Sequence, residues 1–131
     1  MTLHIDTTSL EYIIIALKQR NKEIIRRKIR APRRQGERLI PAIATLFKSQ
    51  NIQLSDIKKI TVANSGGGFT SLRIGVVVAN ALSYSLGCPV IAVSKNGQID
   101  NSALKKFGQQ SLVVPFYDRL PDIGHSQKSV L

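Results

Sequence analysis

The chain has 131 residues, 43% of them hydrophobic, a formal net charge of +11 and a single cysteine. That length suits one domain with a real core and leaves no room for a second domain of ordinary size. It excludes a disulfide-built scaffold, and no apolar run nears the roughly 20 residues of a membrane span.

Leu3-His4-Ile5-Asp6-Thr7-Thr8 alternates apolar and polar side chains and closes in a polar Asp-Thr-Thr-Ser turn, which predicts a first strand. A strand where a basic leader would sit argues against a secretory signal, so the expected compartment is the cytoplasm. Leu10–Leu17 (LEYIIIAL) reads as a second strand and Glu23–Arg30 (EIIRRKIR) as a third. In the third, Ile25 and Ile29 point inward and Arg26, Lys28 and Arg30 outward, on an edge that charge protects from further pairing. The short gaps between these runs predict antiparallel hairpins. Pro32 ends this part of the sheet. From 34 to 50, Leu39, Ile43, Leu46 and Phe47 recur at helical spacing, and Pro41 within the pattern predicts a kink or a start nearer Ile40. Residues 51–56 connect to a strand over Lys58–Asn64.

The stretch Ile60–Leu86 organises the rest: a buried strand, the triple glycine Gly66-Gly67-Gly68, and a helix from about Phe69 to Leu86 whose first turn Thr70 or Ser71 is able to cap. Past Arg73 this helix carries no ionisable side chain except the Tyr84 phenol. Leu72, Ile74, Val76, Val77, Val78, Ala81, Leu82 and Leu86 go most of the way round its wheel. A helix apolar on one stripe packs on its own sheet, whereas one apolar all round needs cover on a second side. In so short a chain another protein is the expected cover.

Pro89–Ser94 (PVIAVS) adds a further buried strand. The order β-β-β-α-β-α-β predicts an α/β fold with a mixed sheet, the pattern of a single ribonuclease H-like or actin-like (ASKHA) half-domain. Beyond it a short helix is expected around Ser102–Phe107, a strand over Ser111–Pro115, and then a tail. The division read from this is a domain over 1–110 and a C-terminal strand and tail over 111–131.

Charge is concentrated. Lys18–Arg38 holds ten basic residues against Glu23 and Glu37, a net +8. Such density attracts polyanions through phosphate neutralisation. With few aromatic side chains near it, any RNA is expected to bind by its backbone, and Arg26, Arg27, Lys28, Arg30, Arg33 and Arg34 are the candidate contacts.

Catalytic patterns fail on chemistry. A phosphate loop needs a lysine and a hydroxyl residue directly after its last glycine, but Phe69 and Thr70 stand there. A two-metal nuclease needs several carboxylates. Here Asp6 ends the first strand and Glu37 is distant, while the fourth strand ends in Asn64. Asp6 is better read as a turn residue bonded to local amides. His4 and His125 lack metal-ligand spacing, so no metal or cofactor is expected. Cys88, in a Gly-Cys-Pro turn, reads as a small buried hydrophobe.

LHIDTTSLEYIIIAL resembles the opening "ILAIDTST…VAL" of the TsaB (YeaZ) family, and SGGGFTSLRIGVVVANAL resembles its GPGSFTGLRIG signature followed by an apolar helix. PRRQGERLIPAI matches the region where that family often carries a histidine before LxPxI, with Gln35 at the histidine position. PVIAVS matches the next strand, and VVPFYDRLPDIG resembles the "PxYxRxP" close of longer members. The chain therefore resembles a short form lacking most of the second domain. The resemblance implies a non-catalytic scaffold or activator subunit in making threonylcarbamoyladenosine (t6A) on tRNA. Its implied partner is a TsaD-like protein that carries the metal, the nucleotide and the transfer, bound as a heterodimer through two N-terminal helices, with homodimerisation through the same surface as a further possibility. Carried onto this sequence, the interface comprises Phe69, Thr70, Arg73, Ile74, Val77, Val78 and Ala81, with Leu39 and Ile43 on the first helix beside it. Contact with tRNA would be indirect or through the basic stretch.

Two other readings remain beside this one. One is a stand-alone basic nucleic-acid-binding module on a ribonuclease H-like fold, and the other a vestigial nucleotide site built on Asp6 and the glycine turn.

Overall fold

A computed structural model describes residues 1–65, 69–94, 98–99, 104–107 and 110–113, with side chains for all of these but 69, 70, 104–107, 110 and 111. Thr2–Asp6 (β1), Tyr12–Gln19 (β2) and Lys22–Arg30 (β3) form an antiparallel meander, followed by helix α1 over Gln35–Ser49. A 3₁₀ turn at Leu54–Asp56 leads into Lys59–Ala63 (β4). Helix α2 spans Phe69–Leu86, and Val90–Val93 (β5) follows it. The sheet order is β3-β2-β1-β4-β5, with β4 parallel to both β1 and β5. The mixed α/β sheet with two helices is the expected actin-like half-domain.

Alternation along the strands makes two different faces. Leu3 and Ile5 of β1, Ile13, Ile15 and Leu17 of β2, Ile60 and Val62 of β4, and Val90 of β5 are all buried. They form one core with Leu39, Ile43, Leu46 and Phe47 of α1 and Val76 and Ala79 of α2. Residues one position along each strand (Thr2, His4, Lys18, Arg26, Lys59, Thr61) line an open cleft on the opposite face. The register enforces this, since His4 stands opposite both Ala16 and Thr61.

Local backbone chemistry sets the ends of the elements. Arg20 and Asn21, with φ of 54° and 65°, join β2 to β3 through a two-residue turn with both central residues left-handed. This is the hairpin geometry whose twist matches that of the flanking strands. Gly87, at φ 66°, ends α2, and the Ser83 hydroxyl donates to the Cys88 carbonyl just beyond it. Cys88 is free and half-buried against the core. Helix α1 starts at Gln35, ahead of Ile40, and runs through the exposed Pro41, whose missing N–H leaves one carbonyl without its helical donor.

Two expectations are corrected. Residues 104–107 form a strand and not a helix: Leu104–Phe107 (β6) pairs antiparallel with Gln110–Val113 (β7). Helix α2 begins at Phe69, so Thr70 and Ser71 are its second and third residues and do not occupy the position that precedes it. The glycines 66–68, most of 95–103 and everything beyond Val113 lie outside the described residues. No described helix is long and apolar enough to cross a membrane.

Candidate protein-binding groove

Helix α2 is fixed to the sheet by its buried side. Leu72, Val76 and Ala79 are at most 1% exposed, and Ser71 and Ser83 are buried with them. At its start the Thr7 hydroxyl, just past β1, donates to the Ser71 carbonyl and accepts from the Gly75 amide. Midway along, the Asn80 amide holds β7: its nitrogen donates to the Val113 carbonyl at 2.9 Å and its oxygen accepts the Val113 N–H at 2.8 Å.

The opposite side of α2 is also apolar and has no cover among the described residues. Val77 is 59% exposed and Tyr84 68%. Along the seam with α1 this face forms a groove of about 660 Å³. Ile40, Ile43, Ala44 and Phe47 contribute from α1, Ile52 and Leu54 from the connector, and Val77, Val78, Ala81 and Leu82 from α2. A smaller hollow of about 370 Å³ shares Val77 and Val78 and extends to Gly36, Arg73 and Ile74. Among the described residues Lys48 and Arg73 are the only charged side chains lining the two, and no carboxylate does. An apolar trough of this kind suits an apolar protein face.

Of the residues read from sequence, Ile43, Val77, Val78 and Ala81 line the main groove, and Arg73 and Ile74 its extension. Leu39 does not: it is fully buried and supports the seam from the core. Phe69 and Thr70 begin α2, but their side chains are outside the described residues. Ile40, Leu54 and Phe47 were missed as site residues. Ile40, Ala44 and Phe47 recur every three or four positions, beside the stripe of Leu39, Ile43 and Leu46, and that second stripe was the available signal.

The basic stretch does not make one patch. Arg26, Lys28 and Arg30 stand opposite Ala16, Ile14 and Tyr12 and share the sheet's open face. There Arg26 pairs with Glu23 and the Lys28 ammonium lies 4.2 Å over the Tyr12 ring. Arg27 stands opposite Ile15, on the helix side, where it lines a cleft with Arg34. Arg33 sits in the connecting turn at φ 57°.

On the open face His4 Nδ1 hydrogen-bonds Thr61 Oγ1 at 2.7 Å. Burial, with Lys18 next in size, lowers its pKa from 6.5 to about 4, so the ring is neutral near pH 7. Asp6 Oδ1 accepts the Thr8 amide at 2.8 Å and the Thr8 hydroxyl at 2.6 Å, the local turn expected of it. Among the described residues no three His, Cys, Asp or Glu side chains are grouped to hold a metal.

Comparison with known proteins places these features among relatives. Residues 28–112 match the family model for TsaD, tRNA N6-adenosine threonylcarbamoyltransferase. The chain is 33% identical over 81 residues to the tRNA threonylcarbamoyladenosine biosynthesis protein TsaB of Bacillus subtilis, covering 62% of this chain and 34% of that one. Against TsaB of Haemophilus influenzae it is 24% identical over 127 residues, 97% of this chain and 53% of the other. The solved structure of YeaZ from Pseudomonas aeruginosa superposes with a TM-score of 0.65 at 30% identity, over 71% of this chain and 43% of that chain. The chain thus spans about a third to about half of the length of these relatives.

Proposed function

Because this chain belongs to the TsaB (YeaZ) family, we propose that it takes part in tRNA t6A biosynthesis as a non-catalytic scaffold or activator, binding a TsaD-like protein. One observation carries the reading: the α1–α2 seam presents a continuous apolar groove with Ile40 and Val77 more than half exposed. Unpartnered apolar surface of this kind on a small domain marks a protein-binding site. The occupant is an apolar helical face of the TsaD-like protein, in keeping with the interface through two N-terminal helices that the sequence resemblance implied. In the absence of that partner a second copy of this chain is the natural substitute, since a self-complementary apolar groove closes as a twofold dimer.

The test is light scattering after size exclusion, on this protein alone and mixed with the TsaD-like protein of the same source. The expected result is a one-to-one complex that Val77→Asp abolishes while the circular dichroism melt of the monomer is unchanged. A homodimer that persists in the presence of the TsaD-like protein would overturn the reading.

A further inference from the structure

Helix α1 borders a second recess on another side. Ile40, Ile43 and Phe47 face the apolar groove, whereas Arg34, Arg38, Pro41 and Leu46 line a separate cleft of about 460 Å³ against β3. The two share no residue. Arg27 enters the cleft from β3, and Arg34 and Arg38, four positions apart at the start of α1, fall on one side of the helix. Three arginine side chains therefore line it with an apolar floor of Ile29, Pro41 and Leu46, and among the described residues Glu37 is the only carboxylate there.

Like charges gathered beside apolar surface repel, and they are ordinarily relieved by carboxylate partners. Among the described residues the one ion pair is Arg26 with Glu23, on the other face of the sheet. Arg27 has only the Ser49 hydroxyl, at 3.3 Å, and Arg34 and Arg38 have no side-chain hydrogen bond or ion pair among the described residues. With three arginines against one carboxylate, the described lining of the cleft carries a net positive charge in a shaped recess.

We infer that this cleft is a phosphate site engaged by the backbone of an RNA strand. Guanidinium is the side chain whose planar fork meets two phosphate oxygens at once, and all three cations here are arginine. Among the described residues no aromatic side chain lines the recess, so it favours phosphate over stacked bases. Arg33 continues the positive field in the β3–α1 connection, and the net +8 of Lys18–Arg38 supplies long-range attraction. The inference rests on the cleft and not on the groove, so it stands or falls apart from the TsaD-like partner.

The experiment is fluorescence anisotropy of a labelled short RNA hairpin with the full chain, at salt between about 50 and 200 mM. Two charge-matched variants are compared: Arg27→Gln/Arg34→Gln/Arg38→Gln in the cleft, and Arg26→Gln/Lys28→Gln/Arg30→Gln on the open sheet face. The cleft variant is expected to weaken binding by about tenfold or more and to lower the log–log salt slope by about 2 to 3, against less than about threefold for the other. Equal losses from both, or none from the cleft variant, would overturn the inference. So would a polyglutamate peptide that binds as tightly and is lost with the same variant, because the occupant would then be an acidic protein. Inorganic phosphate that saturates the cleft and excludes the RNA would reassign it to a small phosphate ligand. If Arg27→Gln lowers the melting temperature, the double variant of exposed Arg34 and Arg38 carries the comparison. In the wild type, saturating RNA must also move the Nε–H resonances of Arg27, Arg34 and Arg38; unmoved resonances would overturn the site.

Discussion

The Thr7 hydroxyl stands between Gly75 and the carbonyl that Gly75 would ordinarily bond: it accepts the Gly75 amide at 3.0 Å and donates to Ser71 at 2.5 Å. In an α-helix residue 75 donates to residue 71 directly, so one side chain from the end of β1 is stitched into the ladder of α2. A Cβ at position 75 would lie 2.7 Å from that hydroxyl. Gly75→Ala is therefore expected to destabilise by about 2 kcal/mol despite its better helix propensity. Thr7→Ala should cost about 1 kcal/mol through the loss of its two hydrogen bonds to α2. In the double variant the methyl enters the vacated space, so its loss should fall short of the sum by about 1 kcal/mol or more in urea melts. Strict additivity would rule the arrangement out.

Leu39 and Ile40 are neighbours in sequence with opposite expected roles. Leu39 is fully buried, and Leu39→Ala should lower stability by about 2 to 5 kcal/mol. Ile40 is 62% exposed, so Ile40→Glu should change stability by no more than about 0.5 kcal/mol. It should nevertheless weaken binding of the TsaD-like protein by about a hundredfold, because the complex would bury an unpaired carboxylate. Calorimetric titration beside a thermal melt separates the two effects, and an Ile40→Glu variant that binds normally would remove α1 from the interface.

His4 gives a pH signature. Burial and then Lys18 hold its pKa near 4, below the unfolded value of 6.5. The unfolded chain therefore takes up a proton first as pH falls. The stability this neutral ring contributes is complete above about pH 6.5 and is lost as pH falls from there through 4, by roughly 3 kcal/mol in all. His4→Gln should flatten that part of the stability profile relative to wild type. An NMR titration placing the His4 midpoint near 6.5 would refute the prediction.

Asn80 makes both hydrogen bonds to the Val113 backbone, standing in for a neighbouring strand. Asn80→Leu keeps the volume but leaves both backbone groups without their partner, at about 1 to 3 kcal/mol. The loss should be local. Hydrogen exchange at the Val113 amide should quicken while the amides of β1 and β4 keep their protection. Uniform loss across the sheet would mean that the hairpin belongs to the main cooperative unit.

Much of this was legible because periodicity is a local property. The bounds of α2 followed from one long apolar stretch, and the inward Ile25 and Ile29 from simple alternation in β3. What escaped depended on which way a residue turns in three dimensions. Two apolar stripes run side by side on α1, and sequence alone gave no reason to send Leu39 inward and Ile40 outward. The six candidate RNA contacts were pooled by proximity along the chain, although strand alternation sends Arg27 to the opposite face from Arg26 and Lys28. Leu104 and Phe107 are three apart, which fits a helical turn as well as a strand. Four residues hold too few periods to decide, and pairing with β7 makes the choice.

The central place of β1 has a consequence for synthesis. Its bonds to β2 come from the adjoining segment, but its parallel partner β4 lies 57 positions away at the His4–Thr61 pair. A ribosome delivering the chain from its N-terminus completes the β1–β2–β3 meander while roughly thirty residues before β4 are still to be made, an interval of a few seconds at ordinary elongation rates. Throughout it, the far edge of β1 offers unpaired backbone flanked by Leu3 and Ile5, open to any other nascent strand. The guarded edge at β3 is permanent, whereas the edge at β1 is protected only by the arrival of the rest of the chain.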